Sequence, residues 1–185
     1  MSDILHFLHN RNSSPKLVEP APSPEEMQDI FKAAMRAPDH AWLHPWRFIT
    51  IRDERREAFG QVLEQCLMLR DPDANPAARD KARAAPLRAP LLVVVVVRFS
   101  EHPKVPPSEQ RLSSGCAAHG ILLAAEALGY AGIWRTGDPA FDRNVMDALG
   151  LGEDEEVTGF VYLGSRGGPA KPIPQLSTAE FVSSW

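Results

Sequence analysis

The feature that most constrains the fold is an uninterrupted apolar run, Leu91–Val97, which ends in five consecutive valines. β-Branched side chains favour extended backbone, and the Ala89-Pro90 step in front of the run disfavours a helix there. A strand that is apolar on both faces has to be covered on both faces. The run therefore predicts a central strand of a sheet, buried between two layers of other structure.

A long apolar helix is predicted from Ser108 to about Leu128, and from Gly115 onward only His119 and Glu126 interrupt it. A helix that is apolar on nearly every side needs more cover than one face of a small domain provides. Small residues spaced four apart would let another helix come close: Cys116, Gly120 and Ala124. Two explanations stay open at this point, a dimer interface and the central helix of a monomer.

The remaining elements alternate around these two. A capping box at Ser23-Pro24-Glu25-Glu26 starts a helix that the Ala37-Pro38 step ends. Further strands are predicted at 47–52, 130–134, 157–164 and, in the C-terminal tail, 180–184. The chain is therefore expected to fold as one α+β domain over residues 1–185, with a mixed central β-sheet flanked by helices.

Composition narrows the class of protein. The 185 residues carry 20 basic and 24 acidic side chains, so the net charge of -4 argues against a nucleic-acid partner. Cys66 and Cys116 are the only cysteines and lie far apart, which favours a reducing compartment. The N-terminus lacks the order of a signal peptide, and Leu91–Val97 is too short to span a bilayer. We expect a cytoplasmic protein that has no membrane partner.

The N-terminal segment offers the first polar cluster. Asp3–Asn10 reads as a short helix with Ile4, Leu5 and Leu8 toward the core and Phe7 as a further candidate. It is followed by a cation and three small polar side chains, Arg11-Asn12-Ser13-Ser14. Such a group at a helix end either grips a phosphate or caps the helix and turns the chain.

The connection Arg36–Trp46 is unusually rich in functional side chains. It holds two prolines, two tryptophans, two histidines, an arginine and an aspartate, whereas an ordinary connection uses turn residues such as Gly, Asn and Ser. One interpretation is a site that holds a flat polar ligand, because binding residues concentrate on loops. The alternative is a rigid proline-rich corner whose tryptophans fill the core.

A metal site in this connection is disfavoured. His40 and His44 have the i, i+4 spacing of helical metal ligands, and Asp39 would be a third ligand. Prolines on both sides oppose a regular helix, and the glutamate of a zinc-protease motif is missing. A metal-dependent hydrolase remains a third alternative. No nucleophile elbow, dinucleotide fingerprint or P-loop occurs in the chain.

Three separate clusters place an arginine beside a small polar or ring-shaped side chain. They are Arg11 with Ser13, Arg36 with His40, and Arg135 with Thr136. Guanidinium groups suit phosphate, and tryptophan or main chain suits a flat ring. Taken together, the clusters fit one anionic ligand that contains a ring.

The order of these motifs resembles the FMN-dependent nitroreductase family, most closely its minimal, short-chain bacterial branch. The resemblance covers essentially the whole chain. It rests on five segments: Arg11–Ser13, Arg36–Trp46, Lys81–Pro90, Gly129–Gly137 and Phe160–Gly164.

This resemblance implies an α+β homodimer with two FMN sites at the subunit interface and a C-terminal arm that embraces the partner. It implies an oxidoreductase that passes hydride from NADH or NADPH through FMN to a flat electrophile, nitroaromatic or quinone-like, with ping-pong kinetics. The flavin carries the chemistry, so we name no acid–base catalyst. A different class shares every cofactor residue: a non-catalytic dimer that binds, stores or senses flavin.

By position, the resemblance implies three sets of FMN contacts. Arg11, Asn12 and Ser13 form the first, Arg36 and His40 reach in from the other subunit, and Trp134, Arg135 and Thr136 form the third. It also associates one stretch with the nicotinamide dinucleotide: Ala124, Ala125, Glu126, Ala127, Leu128 and Gly129.

Two positions depart from the family pattern. Asn12 stands where a second arginine is usual, so one positive charge is removed, and phosphate binding is expected either to weaken or to shift toward Arg135 or Arg166. His44 stands where glutamine is common before Pro-Trp, which changes the character of a hydrogen bond to the flavin ring.

Overall fold

The computed structural model describes residues 3–185. Within this range the helices are α1 (Asp3–Asn10), α2 (Pro24–Ala34), α3 (Glu54–Arg70), α4 (Pro76–Ala84), α5 (Pro107–Ala127) and α6 (Arg143–Ala148). The strands are β1 (Leu17–Val18), β2 (Trp46–Arg52), β3 (Leu91–Arg98), β4 (Ala131–Arg135) and β5 (Glu155–Arg166). Among the helices so described, none combines the length and the apolar character that a membrane crossing requires.

The strands form one sheet built around the long strand β5. Its order is β1-β5-β3-β2, and β4 also pairs with β5. The α+β class is confirmed, but the expected mixed sheet is wrong: every strand pairing in residues 3–185 is antiparallel. The sequence pattern of a buried strand indicates cover on both faces without indicating the direction of its neighbours.

Strand β3 is the central strand that its valines predict. It lies between β2 and β5, and residues 91–97 are at most 1% exposed. Its side chains alternate between two core clusters, as the period of a strand requires. Val94 and Val96 pack toward the side of α3, whereas Val93 and Val95 pack toward α2 and α5.

Helix α2 begins with the predicted capping box. The Glu26 amide donates to Ser23 Oγ at 3.2 Å, and the Ser23 amide donates to Glu26 Oε2 at 2.8 Å. Two donors at the helix start are thereby satisfied reciprocally. The helix ends at Ala34, before Pro38, as predicted.

Helix α5 is covered on one side only. Gly120 faces α2, where an added Cβ would lie 3.1 Å from the Ala34 Cα, so this small residue is explained by packing within the chain. The opposite face of α5 stays open, with Leu112 71% exposed and Cys116 and His119 also exposed. One helix therefore carries both a core face and an uncovered face.

Helix α1 and the C-terminal segment 168–185 contain no buried residue. The expectation that Ile4, Leu5 and Leu8 turn to the core is wrong, because α1 has no buried residue and Ile4 is 72% exposed. The expected strand at Glu180–Ser184 is also wrong. A short 3-10 turn, Thr178–Glu180, lies there, and residues 168–185 are exposed throughout.

Candidate functional site

The N-terminal polar cluster lies along the outer edge of β4. The Ser14 amide donates to the Gly132 carbonyl at 3.0 Å, on the side of β4 that β5 does not use. Arg166, at the end of β5, donates to the Asn12 carbonyl at 3.5 Å. Two of the predicted sets of FMN contacts, Arg11–Ser13 and 134–136, therefore lie beside or on the same strand, β4.

Two cations converge beside Asn12. Arg11 Nη1 lies 3.5 Å from Ser13 Oγ, and Arg166 Nη1 is buried without a hydrogen-bond partner in residues 3–185. A buried guanidinium N–H without an acceptor is costly unless a ligand supplies one. The side chain of Asn12 is occupied, since it donates to the Lys171 carbonyl. This end of the site suits a phosphate-like group.

A cavity of about 640 Å³ opens at the far end of β4. Helices α3 and α4 cover it, and β4 and β5 form its floor. Its apolar lining includes Phe59, Leu63, Ala82, Val145 and Phe160, and its polar lining includes Lys81, Arg88, Arg135, Thr136 and Tyr162. A volume of this size and a mostly apolar wall with a few polar groups are typical of a small-molecule site.

The cavity carries excess positive charge. Arg70 and Asp138 both line it and lie 3.6 Å apart, and Arg70 also bonds Asp142. The other three lining cations, Lys81, Arg88 and Arg135, have no ion pair within residues 3–185. Arg135 Nε is in addition buried without a hydrogen-bond partner. The electrostatics therefore favour an anionic ligand.

Tyr162 lies at the floor of this cavity and is 5% exposed. Burial raises the pKa of its phenol, since the charged form is disfavoured away from water. The nearby guanidinium groups of Arg88 and Arg135 partly offset that rise in pKa. The hydroxyl therefore keeps its proton at neutral pH and can act as a donor.

Trp134 and Arg135 point to opposite faces of the sheet, as neighbours in a strand do. The Trp134 indole packs with α5, near Gly115, and covers Gly159, where an added Cβ would lie within 2 Å of Nε1. Its Nε1 is buried without a partner in the described part of the chain. The third predicted group thus offers donors on both sides of β4.

The Arg36–Trp46 loop is held by side chains from two directions. Asp39 accepts from the Leu43 amide at 3.2 Å and from the His44 amide at 2.8 Å. Helix α5 supplies the other ties: Ser113 Oγ donates to the Pro38 carbonyl at 2.6 Å, and Glu109 bonds His40 Nδ1 at 2.8 Å. The loop is a braced structure.

Its backbone is nevertheless strained. Ala41, Trp42 and His44 have φ angles of 62°, 53° and 50°, in the left-handed region that L-residues rarely adopt. Such residues persist only where the surroundings fix them, and they cluster at ligand clamps. The strain presents Trp42 to solvent with 81% of its surface exposed.

Arg36 and His40 do not join the other two groups within the chain. Arg36 and Trp42 border a separate pocket with a volume of about 350 Å³. His40 bonds Glu109 on α5. No hydrogen bond or ion pair in residues 3–185 connects either residue to Arg11–Ser13 or to 134–136. The contribution of this pair to a second subunit's site stays a prediction.

The histidine spacing in the loop does not produce a metal cluster. Residues 3–185 contain no group of three or more His, Cys, Asp or Glu side chains arranged to hold an ion. Both Asp39 oxygens accept main-chain amides, so they are used locally.

The stretch expected to meet the nicotinamide, 124–129, ends α5 and leads into β4. Gly129 stops the helix with φ of 87°, and Ala125 is buried. None of its six residues lines either concave surface. Its assignment stays a prediction.

Motif reading missed three residues of the cavity: Lys81, Arg88 and Tyr162. They come from three elements, α4, the turn after it and β5. Two segments of the resemblance contain these residues: Lys81–Pro90, which carries cations directly before the central strand, and Phe160–Gly164, which includes Tyr162.

Comparison with known proteins agrees with this geometry. A sequence model of the Nitroreductase family matches residues 9–165. YdjA of Escherichia coli (strain K12), provisionally named an NAD(P)H nitroreductase, is 46% identical over 181 residues, which cover 98% of this chain and 93% of that protein. A provisionally named NAD(P)H nitroreductase of Haemophilus influenzae is 37% identical and covers 88% of both chains.

Solved structures share the fold at low identity. A nitroreductase-like family protein from Bacillus cereus superposes with a TM-score of 0.84 at 16% identity, covering 100% of this chain and 97% of that one. A Bacteroides fragilis nitroreductase crystallised with bound FMN gives 0.74 at 20% identity over the full length of both chains. The matched family model and the curated relatives decide the assignment: this chain is a member of the Nitroreductase family.

Proposed function

We propose that this protein is an FMN-dependent oxidoreductase that takes hydride from NADH or NADPH and passes it to a flat electrophile such as a nitroaromatic or a quinone. The observation that carries the proposal is the arrangement along β4. A cationic cluster with an unpartnered buried donor lies at one end, and a cationic cavity of about 640 Å³ lies at the other. Family membership supports the same activity.

The residues present fit FMN, which has an anionic phosphate at one end and a flat ring at the other. Arg11, Ser13 and Arg166 would hold the phosphate, since guanidinium and hydroxyl donors suit its oxygens. Arg135 and Thr136 border the cavity that would take the ring. A relative in fold was crystallised with FMN, which supports this choice of cofactor.

The cofactor, when bound, supplies the hydride chemistry. The chain's contribution is to bind and orient it, and to surround one side of its ring with apolar side chains such as Phe59 and Leu63. Unpaired cations at the cavity, Arg88 and Arg135, favour negative charge there. Donor and acceptor would use the same open ring face, from which we expect ping-pong kinetics.

We further infer a homodimer with the flavin sites shared between subunits. Apolar side chains stay exposed on α1, on the outer face of α5 and on the C-terminal tail: Ile4, Leu8, Leu112, Leu176, Phe181 and Val182. Uncovered apolar surface distributed over three elements is typical of an interface. A second copy would cover it and bring Arg36 and His40 to the neighbouring site.

The purified protein tests this proposal directly. It should be yellow after expression with ample flavin, elute as a dimer, and oxidise NAD(P)H steadily when a nitroaromatic or a quinone is present. A colourless protein that added FMN leaves unchanged would contradict the cofactor. Bound FMN without turnover would instead favour the non-catalytic flavin-binding dimer.

One pair of variants separates binding from folding. Arg11→Ala should weaken FMN binding at least about tenfold, because one charge-assisted contact to phosphate is lost. Arg55→Ala on the exposed surface of α3 is the matched control and should bind FMN like the wild type. Equal affinity of the two variants would argue against a phosphate at Arg11.

A further inference from the structure

Tyr162 is a largely buried residue of the cavity to which no sequence motif assigns a role. The chain has two tyrosines, and the other one, Tyr130, donates its hydroxyl proton to Glu26 at 2.8 Å. The Tyr162 hydroxyl has no hydrogen bond to any residue in 3–185, although the side chain is only 5% exposed. The hydroxyl oxygen is not among the fully buried polar atoms that lack a partner, so it opens into the cavity, where it can donate to a ligand.

The charged neighbours of Tyr162 narrow what its partner is. Arg88 and Arg135 act on the phenol electrostatically, and both are guanidinium groups, which donate hydrogen bonds and accept none. The phenol proton therefore has no acceptor among these neighbours. A cavity ligand that bonds the phenol O–H therefore contributes an acceptor, such as a carbonyl oxygen or an electron-rich nitrogen.

Strand β4 connects the phosphate-like cluster to the cavity, and Tyr162 pairs with Ile133, the residue after Gly132, at the end of the cavity nearer the cluster. Gly132, which bonds Ser14 beside the phosphate-like cluster, and Thr136, at the cavity, are four residues apart, or about 13 Å along an extended strand. A phosphate at Arg11 and Arg166 therefore leaves the ring end of the cofactor for the cavity. The apolar wall of Phe59, Leu63 and Phe160 suits a ring better than a phosphate.

We propose that the Tyr162 hydroxyl donates a hydrogen bond to the pyrimidine end of the flavin ring and, with Arg88 and Arg135, sets its reduction potential. The pyrimidine end carries carbonyl oxygens and a ring nitrogen that accept hydrogen bonds, and negative charge accumulates there on reduction. A donor and two cations at that end stabilise the reduced form more than the oxidised form. This role rests on the proposed binding of FMN.

Tyr162→Phe in the FMN-loaded protein tests the role, because it removes the hydroxyl and keeps the ring in the core. We expect the reduced cofactor to bind about tenfold more weakly relative to the oxidised cofactor, the effect of one lost bond to a charged group. That ratio equals a midpoint potential about 30 mV more negative for a two-electron couple. Tyr130→Phe is the matched control and should leave the potential unchanged.

The measurements are the midpoint potential, by reduction against a reference dye, and the dissociation constant of oxidised FMN, by flavin fluorescence. A Tyr162→Phe protein with the wild-type potential overturns the role while leaving a flavoprotein in place. Equal weakening of oxidised and reduced FMN overturns it as well, since the hydroxyl would then touch a part of the cofactor that reduction does not change. A wild-type protein that binds no FMN contradicts the proposed function itself.

Arg88→Gln provides a second route if Tyr162→Phe folds poorly. Arg88 is exposed at the cavity rim and has no ion pair within residues 3–185, so its replacement leaves the core intact. The potential should again become more negative, because a positive charge beside the same end of the ring is removed. A potential equal to or above that of the wild type would count against the arrangement.

Discussion

The Arg36–Trp46 loop and the cavity beneath α3 and α4 are two polar regions that were built in different ways. The loop is a single stretch of sequence, so its density of Trp, His, Arg and Pro is visible at once. The cavity takes its lining from α3, α4, β4 and β5, and each contribution is unremarkable in its own segment. A group of functional residues that are neighbours in the sequence can be recognised from the sequence, whereas a site whose residues come from distant segments cannot.

The two regions also differ in how they are stabilised. The loop holds three left-handed residues in place with Asp39, Ser113 and Glu109. The cavity shows no comparable backbone strain. The features that destabilise it are hydrogen-bond donors without acceptors and cations without ion pairs. Strain in the first region and missing partners in the second are both states that a ligand or a second subunit can relieve.

The largest expected effect concerns the ion pair that joins β2, directly after the loop, to β5. Arg47 directly follows the loop and donates to both oxygens of buried Glu155 at 2.6 Å. Glu155→Gln should lower the free energy of unfolding by about 3 kcal/mol at neutral pH, because a charged partner is left unpaired. Denaturant unfolding measures this loss. Glu156→Gln, which affects an exposed pair with Arg111, should cost less than about 1 kcal/mol.

The same pair predicts a pH dependence. The hydrogen bond from Arg47 holds the pKa of the Glu155 carboxyl below its usual range, despite burial that raises it. The pair therefore stabilises the fold at pH values above the ordinary pKa of a carboxyl group. This stabilisation is lost as the pH falls through the lowered pKa of Glu155 in the folded protein. The difference between wild type and Glu155→Gln should shrink in acid. A difference that stays constant down to about pH 3 would show that charge is not its cause.

The second effect concerns the cavity wall. An added Cβ at Gly60 on α3 would lie 2.2 Å from the Arg83 carbonyl oxygen on α4, so Gly60→Ala has to push the two helices apart. We expect a loss of about 2 kcal/mol from overpacking, together with weaker FMN retention. Thermal unfolding and flavin content measure both. Gly168→Ala, where no atom lies within 4 Å, should change neither.

The third effect is confined to the loop. Asp39→Ala removes the acceptor of two main-chain amides, and we expect a loss of about 1–2 kcal/mol, as for a missing helix cap. Asp29→Ala breaks only an exposed ion pair with Lys32 and is the control. If the two variants unfold alike, Asp39 does not brace the loop.

The smallest effect should be a gain. Ala41→Gly relieves a left-handed residue and should raise the free energy of unfolding by about 0.5–1 kcal/mol. Ala33→Gly on the exposed surface of α2 should lower it by about 0.5–1 kcal/mol, since glycine weakens a helix. A loss for Ala41→Gly would mean that the surroundings impose no strain there.

The successes and failures of sequence reading follow the same division. The central strand Leu91–Val97, the capping box at Ser23 and the stop at Gly129 depend on neighbouring residues, and the structure confirms them. The direction of the strands and the exposure of α1 depend on distant partners, so they were predicted wrongly. Tyr162 lies in an apolar strand, where its sequence neighbours give no sign of the cavity above it.

The position of β5 in the sheet has a consequence for synthesis. This strand comes late in the chain, yet β1, β3 and β4 all pair with it. Until the ribosome releases it, β3 can pair only with β2, and its valines keep one unpaired edge. Pairing between the two ends of a chain slows folding, and exposed apolar strands attract one another. We therefore expect nascent chains that stop before Glu155 to aggregate or to bind chaperones, and completion of the final strand to be the event that closes the sheet.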